Sequence, residues 1–376
     1  MRVLVLANTP AHVHTYRYAV DRLEARGHDV LVLVRDDGCA VSLASAFDLP
    51  AEVYGVHDAG PGSPSAFVRQ LGGQFASIAR RAVAFGPDVV FGRGPYAAFA
   101  GTLTRTPVVL LLDDEPGSFA HTLSSPAAHC ILSPAATRRD LGPAHYTFEG
   151  FTECAYLHPD VFDPDPGVRD DLGVGPDEPY VLVRTNAHDA LHDRGSRGFT
   201  DGQRRALLEH LSERATVFVS DEAGDAALED LPVRPYDCHP ARIHDALFEA
   251  DLLVADTGTM VTEAALLGTP AVRYAGTETH EFGEFAALEA AGLAVEFDSF
   301  DATLMYALDV LADDGVAARH RRRRDAFVAD LVNLTDLLVD IAEVRGSVGE
   351  LRARSRRVRP RSIGSSTDSH LSGRFD

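Results

Sequence analysis

Residues 256–263 carry the clearest chemistry in this chain. Asp256-Thr257-Gly258-Thr259 follows a short apolar run, Leu252–Ala255, and precedes a helical stretch that Gly268 ends. Thr269-Pro270 then leads into a second apolar run, Ala271-Val272, so the order is strand, tight turn, helix, strand. A helix that starts after small residues presents unpaired N–H groups and the positive end of its dipole. Such a start holds a phosphate without a lysine. Glu263 falls on the same face one turn in. A carboxylate there accepts two hydrogen bonds from vicinal hydroxyls, as on a ribose. A plain βαβ unit with a threonine cap and a solvated glutamate satisfies the same pattern.

In open parallel sheets, ligands sit at the carboxyl ends of the strands. The polar residues expected there are His12 and His14, Asp113-Asp114-Glu115, Gly150-Phe151-Thr152-Glu153, Arg184, His188, His192-Asp193 and Asp221. A histidine that titrates near neutral pH suits a general base. His14 or His12 is that candidate, and the other caps or flanks the helix that follows. Glu115, with Asp113, is either a substrate contact or an idle acid pair in an acidic chain. Arg184 suits a diphosphate, which arginine grips with two parallel bonds, or an ion pair with a neighbouring carboxylate. His188 and His192 have a metal-ligand spacing if helical. Gly195 and Gly198 favour an irregular loop instead, so no metal is expected. No GxSxG, Walker loop or GxGxxG occurs, which removes support for hydrolase-triad, kinase and NAD chemistry.

The elements that must position these residues alternate. Strands are expected at Arg2–Ala7, Asp29–Arg35, Glu52–Val56, Asp88–Phe91, Pro107–Leu112, Ala128–Leu132 and Tyr146–Glu149, with helices between them. The strands are near-continuous apolar runs, as in parallel sheets covered on both faces. The pattern breaks around Gly150–Gly175, where Pro159, Pro164, Pro166 and Pro176 mark a linker. A second series starts at Tyr180–Arg184 and ends in one long Arg-rich helix, roughly Gly315–Val344. The expected fold is α/β: two Rossmann-like domains facing a cleft, residues 1–150 and 151–345, with a basic disordered tail at 346–376.

Composition narrows the setting. The 376 residues carry a net charge of −21, and all 35 basic residues are arginine. The tail holds seven Arg against three acids, a net +4, which leaves −25 on the rest. The body is therefore no nucleic-acid surface, while the tail is a candidate contact for anionic lipid head groups or a plain solvated extension. An acidic, lysine-free composition resembles haloarchaeal proteins, which stay hydrated in concentrated salt. Four scattered cysteines without a CxxC pair fit reduced thiols in a cytosolic protein. No apolar run is long enough for a membrane span, and the N-terminus lacks a signal-peptide profile.

With these residues laid out, the chain resembles the archaeal domain-of-unknown-function 354 family. Members of that family look like GT-B glycosyltransferases and UDP-N-acetylglucosamine 2-epimerases. The matching pieces are Pro10-Ala11-His12-Val13-His14, Arg26-Gly27-His28-Asp29-Val30, Phe85-Gly86-Pro87-Asp88, Gly150-Phe151-Thr152-Glu153 with Tyr156-Leu157, Arg184 with His192-Asp193, and Asp256-Thr257-Gly258-Thr259-Met260 with Glu263 and Gly268-Thr269-Pro270. The resemblance covers roughly residues 1–340. It implies that the turn at Thr257–Thr259, bordered by Asp256, holds a donor diphosphate and that Glu263 binds the ribose. The loop after the first strand, glycine-rich in the better-known relatives, has no glycine here.

The resulting expectation is a glycosyltransferase-like enzyme using a nucleotide-activated sugar, UDP-linked by preference, and an acceptor of unknown kind. Arg184 and the turn would neutralise the leaving diphosphate. His14 or His12 would activate the acceptor hydroxyl. No cofactor or metal is called for, because amides and arginine supply the positive charge. A UDP-sugar 2-epimerase or hydrolase, and a non-catalytic sugar-nucleotide-binding protein, would use the same residues. A homodimer remains open.

Overall fold

The structure is a computed structural model. It describes residues 1–57, 64–113, 124–137, 140–185, 198–221, 230–276, 283–350 and 358–360. The chain forms two compact units, residues 1–161 with 331–376, and residues 162–330. The sequence places the first boundary at 150 and keeps everything to 345 in the second domain; the structure returns the chain to the first unit at Leu331.

The first unit is built on strands β1 (Arg2–Ala7), β2 (Asp29–Asp36), β3 (Ala51–Val56), β4 (Val89–Gly92), β5 (Val108–Leu111), β6 (Cys130–Pro134) and β7 (His145–Phe148). All pair in parallel. Their apolar runs are buried, and Leu4, Leu6, Leu33, Val90, Leu110 and Ile131 sit in one core with Ile78. Helices α1 (Pro10–Ala25), α2 (Ala40–Ala46), α3 (Pro64–Phe85) and α4 (Pro95–Thr104) connect the strands. Proline stands at the start of α1 and α4, where its missing N–H costs nothing.

The second unit holds β8 (Tyr180–Thr185), β9 (Thr216–Asp221), β10 (Arg234–Pro235), β11 (Leu252–Ala255), β12 (Ala271–Tyr274) and β13 (Ala294–Phe297). These six strands are also all parallel, in the order β10-β9-β8-β11-β12-β13. Two parallel α/β sheets were expected. β13 was not singled out in the sequence.

Three expectations need correction. The long Arg-rich helix is two helices, Val316–Val328 and Leu334–Glu343. Asn333 starts the second by accepting the Asp336 N–H at 3.2 Å, a side-chain cap that resets the chain direction. The second helix packs on α1, where Leu334, Leu337, Leu338 and Ile341 are buried. The tail is not wholly unstructured either. A strand β14 (Arg359–Pro360) pairs antiparallel with β7, and Val358 is buried beside it. The first sheet therefore reads β14-β7-β6-β5-β4-β1-β2-β3. Edge strands offer unpaired backbone groups, which is why even an arginine-rich segment finds a place there. Finally, the stretch expected as a loop after β1 is already helix from Pro10, so His12 and His14 lie on the first turns of α1.

Candidate functional site

In each sheet the chain runs outward from a central strand in one direction and then crosses to the other side. The crossing defines a switch point, where the connections diverge and leave room for a ligand at the strand ends. In the second unit it lies between β8 and β11, in the first between β1 and β4.

At the β8/β11 switch point stand Arg184 and the turn Asp256–Thr259, with Glu263 behind it. Arg184, next to last in β8, pairs with Ala255 of β11, and its carbonyl accepts the Asp256 N–H at 3.3 Å. The Arg184 guanidinium donates to Ser220 Oγ at 2.6 Å, at the end of β9. Asp256, Thr257, Gly258 and Thr259 lie directly beyond β11, and the helix Gly258–Leu267 begins there. Thr257 is extended (φ −116°, ψ 149°) and its side chain does not cap the helix. The first turn carries no acidic residue. Open space surrounds the position where a Cβ on Gly258 would sit. Unpaired N–H groups, a positive dipole end and an uncluttered backbone make a usable anion seat.

Glu263 lies one turn further along, 7 % exposed. The sequence expects it to face a ribose. The structure adds a partner: His244 Nε2 is 3.1 Å from Glu263 Oε1. His244 belongs to the helix Ile243–Glu249 and is 1 % exposed. Nothing in the sequence marks it, because its partner is on another helix.

The β1/β4 switch point holds a second cluster. The Asn8 backbone N–H donates to His12 Nδ1 at 3.1 Å. Its side chain accepts from the Tyr54 hydroxyl at 2.9 Å and donates to the Arg93 carbonyl at 3.4 Å. Arg35 donates to the Asn8 carbonyl at 3.1 Å and to Asp37 at 2.6 Å. Arg93 is paired with Asp113. Burial works against the Arg93 charge, but Asp113, Tyr16 and Glu153 outweigh it and hold the guanidinium above its ordinary range. Burial, with Arg93 and Arg35 nearby, drives His12 well below its ordinary 6.5. The ring is therefore neutral at pH 7. A backbone N–H can only donate, so Nδ1 is the bare nitrogen and the proton sits on Nε2. His12 is wired as a hydrogen-bond donor at Nε2, not as a base.

His14, two residues on, turns the other way, since such pairs do not share a helix face. It is buried between the rings of Phe47 and Tyr156, each with its centroid at 5.5 Å. In this arrangement it does not join the His12 cluster. Thr152 and Glu153 form a short 3-10 turn in which the threonine hydroxyl donates to the glutamate at 3.2 Å. Asp114, Glu115, His188, His192 and Asp193 lie outside the described residues, as does the side chain of Asp221. Arg35 and Arg93 were missed. Arg93 had a legible signal, because it follows β4 directly and precedes Gly94-Pro95. Among the described residues no group of three or more His, Cys, Asp and Glu side chains is gathered as a metal ion would need, and no helix is long and apolar enough to cross a membrane.

Comparison with known proteins adds three findings. The model of a family described as "Protein of unknown function (DUF354)" matches residues 2–340. The uncharacterized protein MJ0665 of Methanocaldococcus jannaschii is 24 % identical over 281 residues, covering 71 % of this chain and 79 % of that one. Among solved structures, the UDP-GlcNAc 2-epimerase from Neisseria meningitidis bound to UDP-GlcNAc aligns with a TM-score of 0.61 at 13 % identity, over 94 % of this chain and 100 % of the other. The spinosyn forosaminyltransferase SpnP gives 0.62 at 16 %, over 94 % and 99 %. These likenesses establish the fold as that of the GT-B enzymes.

Proposed function

Since this chain belongs to the DUF354 family and carries the GT-B fold, we propose that it binds a nucleotide-activated sugar, UDP-linked by preference, and transfers the sugar to an acceptor. One observation carries the reading. A small-residue turn opens an uncapped helix at a sheet switch point, with an acid fixed one turn inside. In this reading the N–H groups of the Thr257–Thr259 turn and the Arg184 guanidinium take the diphosphate. Their positive field stabilises the charge that builds as the glycosyl bond breaks. Asp256 borders the turn, and Glu263 accepts from the ribose hydroxyls. His12, as a neutral donor at Nε2, holds an oxygen of the acceptor at the β1/β4 switch point of the first unit. Glu115 is proposed as a contact to the substrate. No metal is needed for the charge balance.

A second reading keeps the donor and replaces transfer by 2-epimerisation. The match to the Neisseria meningitidis enzyme favours it. Incubation of the donor without acceptor separates the two: a C2 epimer supports the second reading, unchanged donor the first.

Thermal unfolding in molar KCl against nucleotides and nucleotide sugars tests the shared premise. A ligand at a hundred times its Kd stabilises the fold by about 2.7 kcal/mol. UDP and one UDP-sugar should raise Tm, and Glu263→Ala should lose most of that rise. No shift with any nucleotide overturns the reading.

A further inference from the structure

We infer that the β1/β4 switch point of the first unit reads an anionic group on the acceptor, a carboxylate or a phosphate, through His12 Nε2 and the guanidiniums of Arg35 and Arg93. The inference rests on the transfer reading above, which makes this sheet end the acceptor side, and goes further, to the chemical class of the acceptor.

The geometry has three parts. First, the arginines are held but not spent. A guanidinium carries several N–H donors in a planar fork. Arg93 gives Nη1 to Asp113, and its buried Nε–H meets no acceptor among the described residues. Arg35 gives Nε to the Asn8 carbonyl at 3.1 Å and Nη2 to Asp37 at 2.6 Å, which leaves Nη1. The two side chains are 15 % and 16 % exposed, so a ligand reaches an edge of each. Second, the histidine offers only a donor. The Asn8 N–H takes Nδ1, so Nε2 carries the proton. The body of this chain is strongly acidic, yet the two side-chain charges that act on this ring, after burial, are both arginine. Third, the helices add to the field. The side chain of Thr9 does not cap α1, Gly94 has none to cap α4, and the first turn of each helix holds no acid. Such starts present the positive end of the dipole. Tyr16, one turn past His12 on the same face, is 2 % exposed, and its hydroxyl has no partner among the described residues. It lies close enough to Arg93 and Asp113 for both charges to act on it.

The two aspartates do not undo this. Each is bonded to its arginine, which cancels formal charge but leaves the remaining N–H groups as donors. An anion accepting from a guanidinium makes charge-assisted bonds, shorter and stronger than those a neutral hydroxyl makes there. The planar fork also matches two oxygens of one carboxylate or phosphate. A donor set of two arginines, one imidazole N–H and one tyrosine hydroxyl is better matched by several lone pairs on one group than by a lone hydroxyl.

Calorimetric titration of the full chain with glucose, glucuronate and glucose 6-phosphate, which differ only at one carbon, tests this with no nucleotide present. In molar KCl a diffuse field reaches only about 3 Å, so direct contacts decide. Glucuronate or glucose 6-phosphate should bind the wild type by about tenfold or more over glucose. Which of the two does so identifies the group as carboxylate or phosphate. His12→Asn keeps an acceptor for the Asn8 N–H but loses Nε2, and should lower the preference. Arg93→Gln with Asp113→Asn exchanges the ion pair for a neutral amide pair, and should bring the ratio towards one. If that double variant does not fold, Arg35→Gln, which can still donate to the Asn8 carbonyl, carries the same expectation. A wild-type ratio near one, no binding of either anion, or a preference unchanged in His12→Asn or in the arginine variant overturns the inference while the nucleotide reading stands. So does a phosphate response that survives in those variants and vanishes in Gly258→Val, since it then belongs to the second unit. A wild type that binds the anions but no nucleotide overturns the transfer reading and keeps the anion site.

Discussion

His12 shows how much chemistry turns on one hydrogen bond. Histidine after the first strand invites assignment as a base, and its sequence neighbours do not argue otherwise. Burial first, then the arginines beside the ring, with the Asn8 N–H on Nδ1, make it a neutral donor instead. His320 is the structural counterpart: a buried histidine among Arg319 and Arg323, pushed down to about 4, first by burial and then by those charges. The sign of the consequence follows from linkage. The unfolded chain takes a proton at 6.5, whereas the fold holds His320 neutral until about 4. Above 6.5 no penalty applies. As pH falls from 6.5 towards 4, the unfolded state gains and stability drops, by about 1.4 kcal/mol per pH unit at full slope. Denaturant midpoints measured across that window should decline less steeply in His320→Leu than in the wild type. Parallel slopes would show that this ring does not titrate with unfolding. At this scale Glu263 and the 256–259 turn were legible in the sequence, because the turn and the acid are close along the chain. His244 and Arg35 were not.

At the scale of elements, the helix Gly258–Leu267 is bounded by two glycines with different duties. Gly268 adopts φ +82°, and a Cβ there would stand 3.1 Å from the Arg321 Cα of the helix Val316–Val328. That glycine serves packing. Gly258 has open space where its Cβ would be, so a side chain there costs the fold little. Its smallness is therefore free to serve a ligand that approaches the helix start. Gly258→Val should leave Tm nearly unchanged, within about 0.5 kcal/mol as for surface substitutions. It should abolish the thermal shift produced by the nucleotide. A variant that binds as the wild type does would reduce Gly258 to a helix residue like any other. The element pattern itself was readable, since buried strands and glycine stops are local signals. The break at Ala329–Asn333 was harder to see. Arginines run through one helix and leucines through the next, and both are good helix formers. The break becomes clear only when the leucines find α1.

For the whole molecule, the return of the chain matters most. The helix Leu334–Glu343 completes the first unit from the far end of the sequence, through the Arg22–Asp336 pair and the Arg26–Glu343 pair at 2.8 Å. The Thr335 hydroxyl adds a buried bond to the Ala155 carbonyl at 2.6 Å. The ion pairs are partly exposed and contribute little. Leu334, Leu337, Leu338 and Ile341 carry the docking, each no more than 2 % exposed and worth about 2 kcal/mol of burial. A chain ending at Asp330 should lose or greatly lower the calorimetric transition of the first unit and keep that of the second. Two unaltered transitions would mean that the helix is an accessory.

The sequence by itself determined the alternation of buried strands and helices, the two-sheet class and the position of the turn with its acid. Each of these depends on residues within a few turns of one another, where periodicity and backbone chemistry act. The tertiary structure decided which side chains meet. His244 reaches Glu263 across 19 residues, Asn8 reaches the Arg93 carbonyl across 85, and Arg22 reaches Asp336 across 314. Strand order sets those encounters. It converts His12 from an expected base into a donor and buries His14 among rings. It also gives the first unit a final helix that composition assigns to the second. Local rules write the elements; the protonation and reach of each polar group are settled only when distant segments share one sheet end.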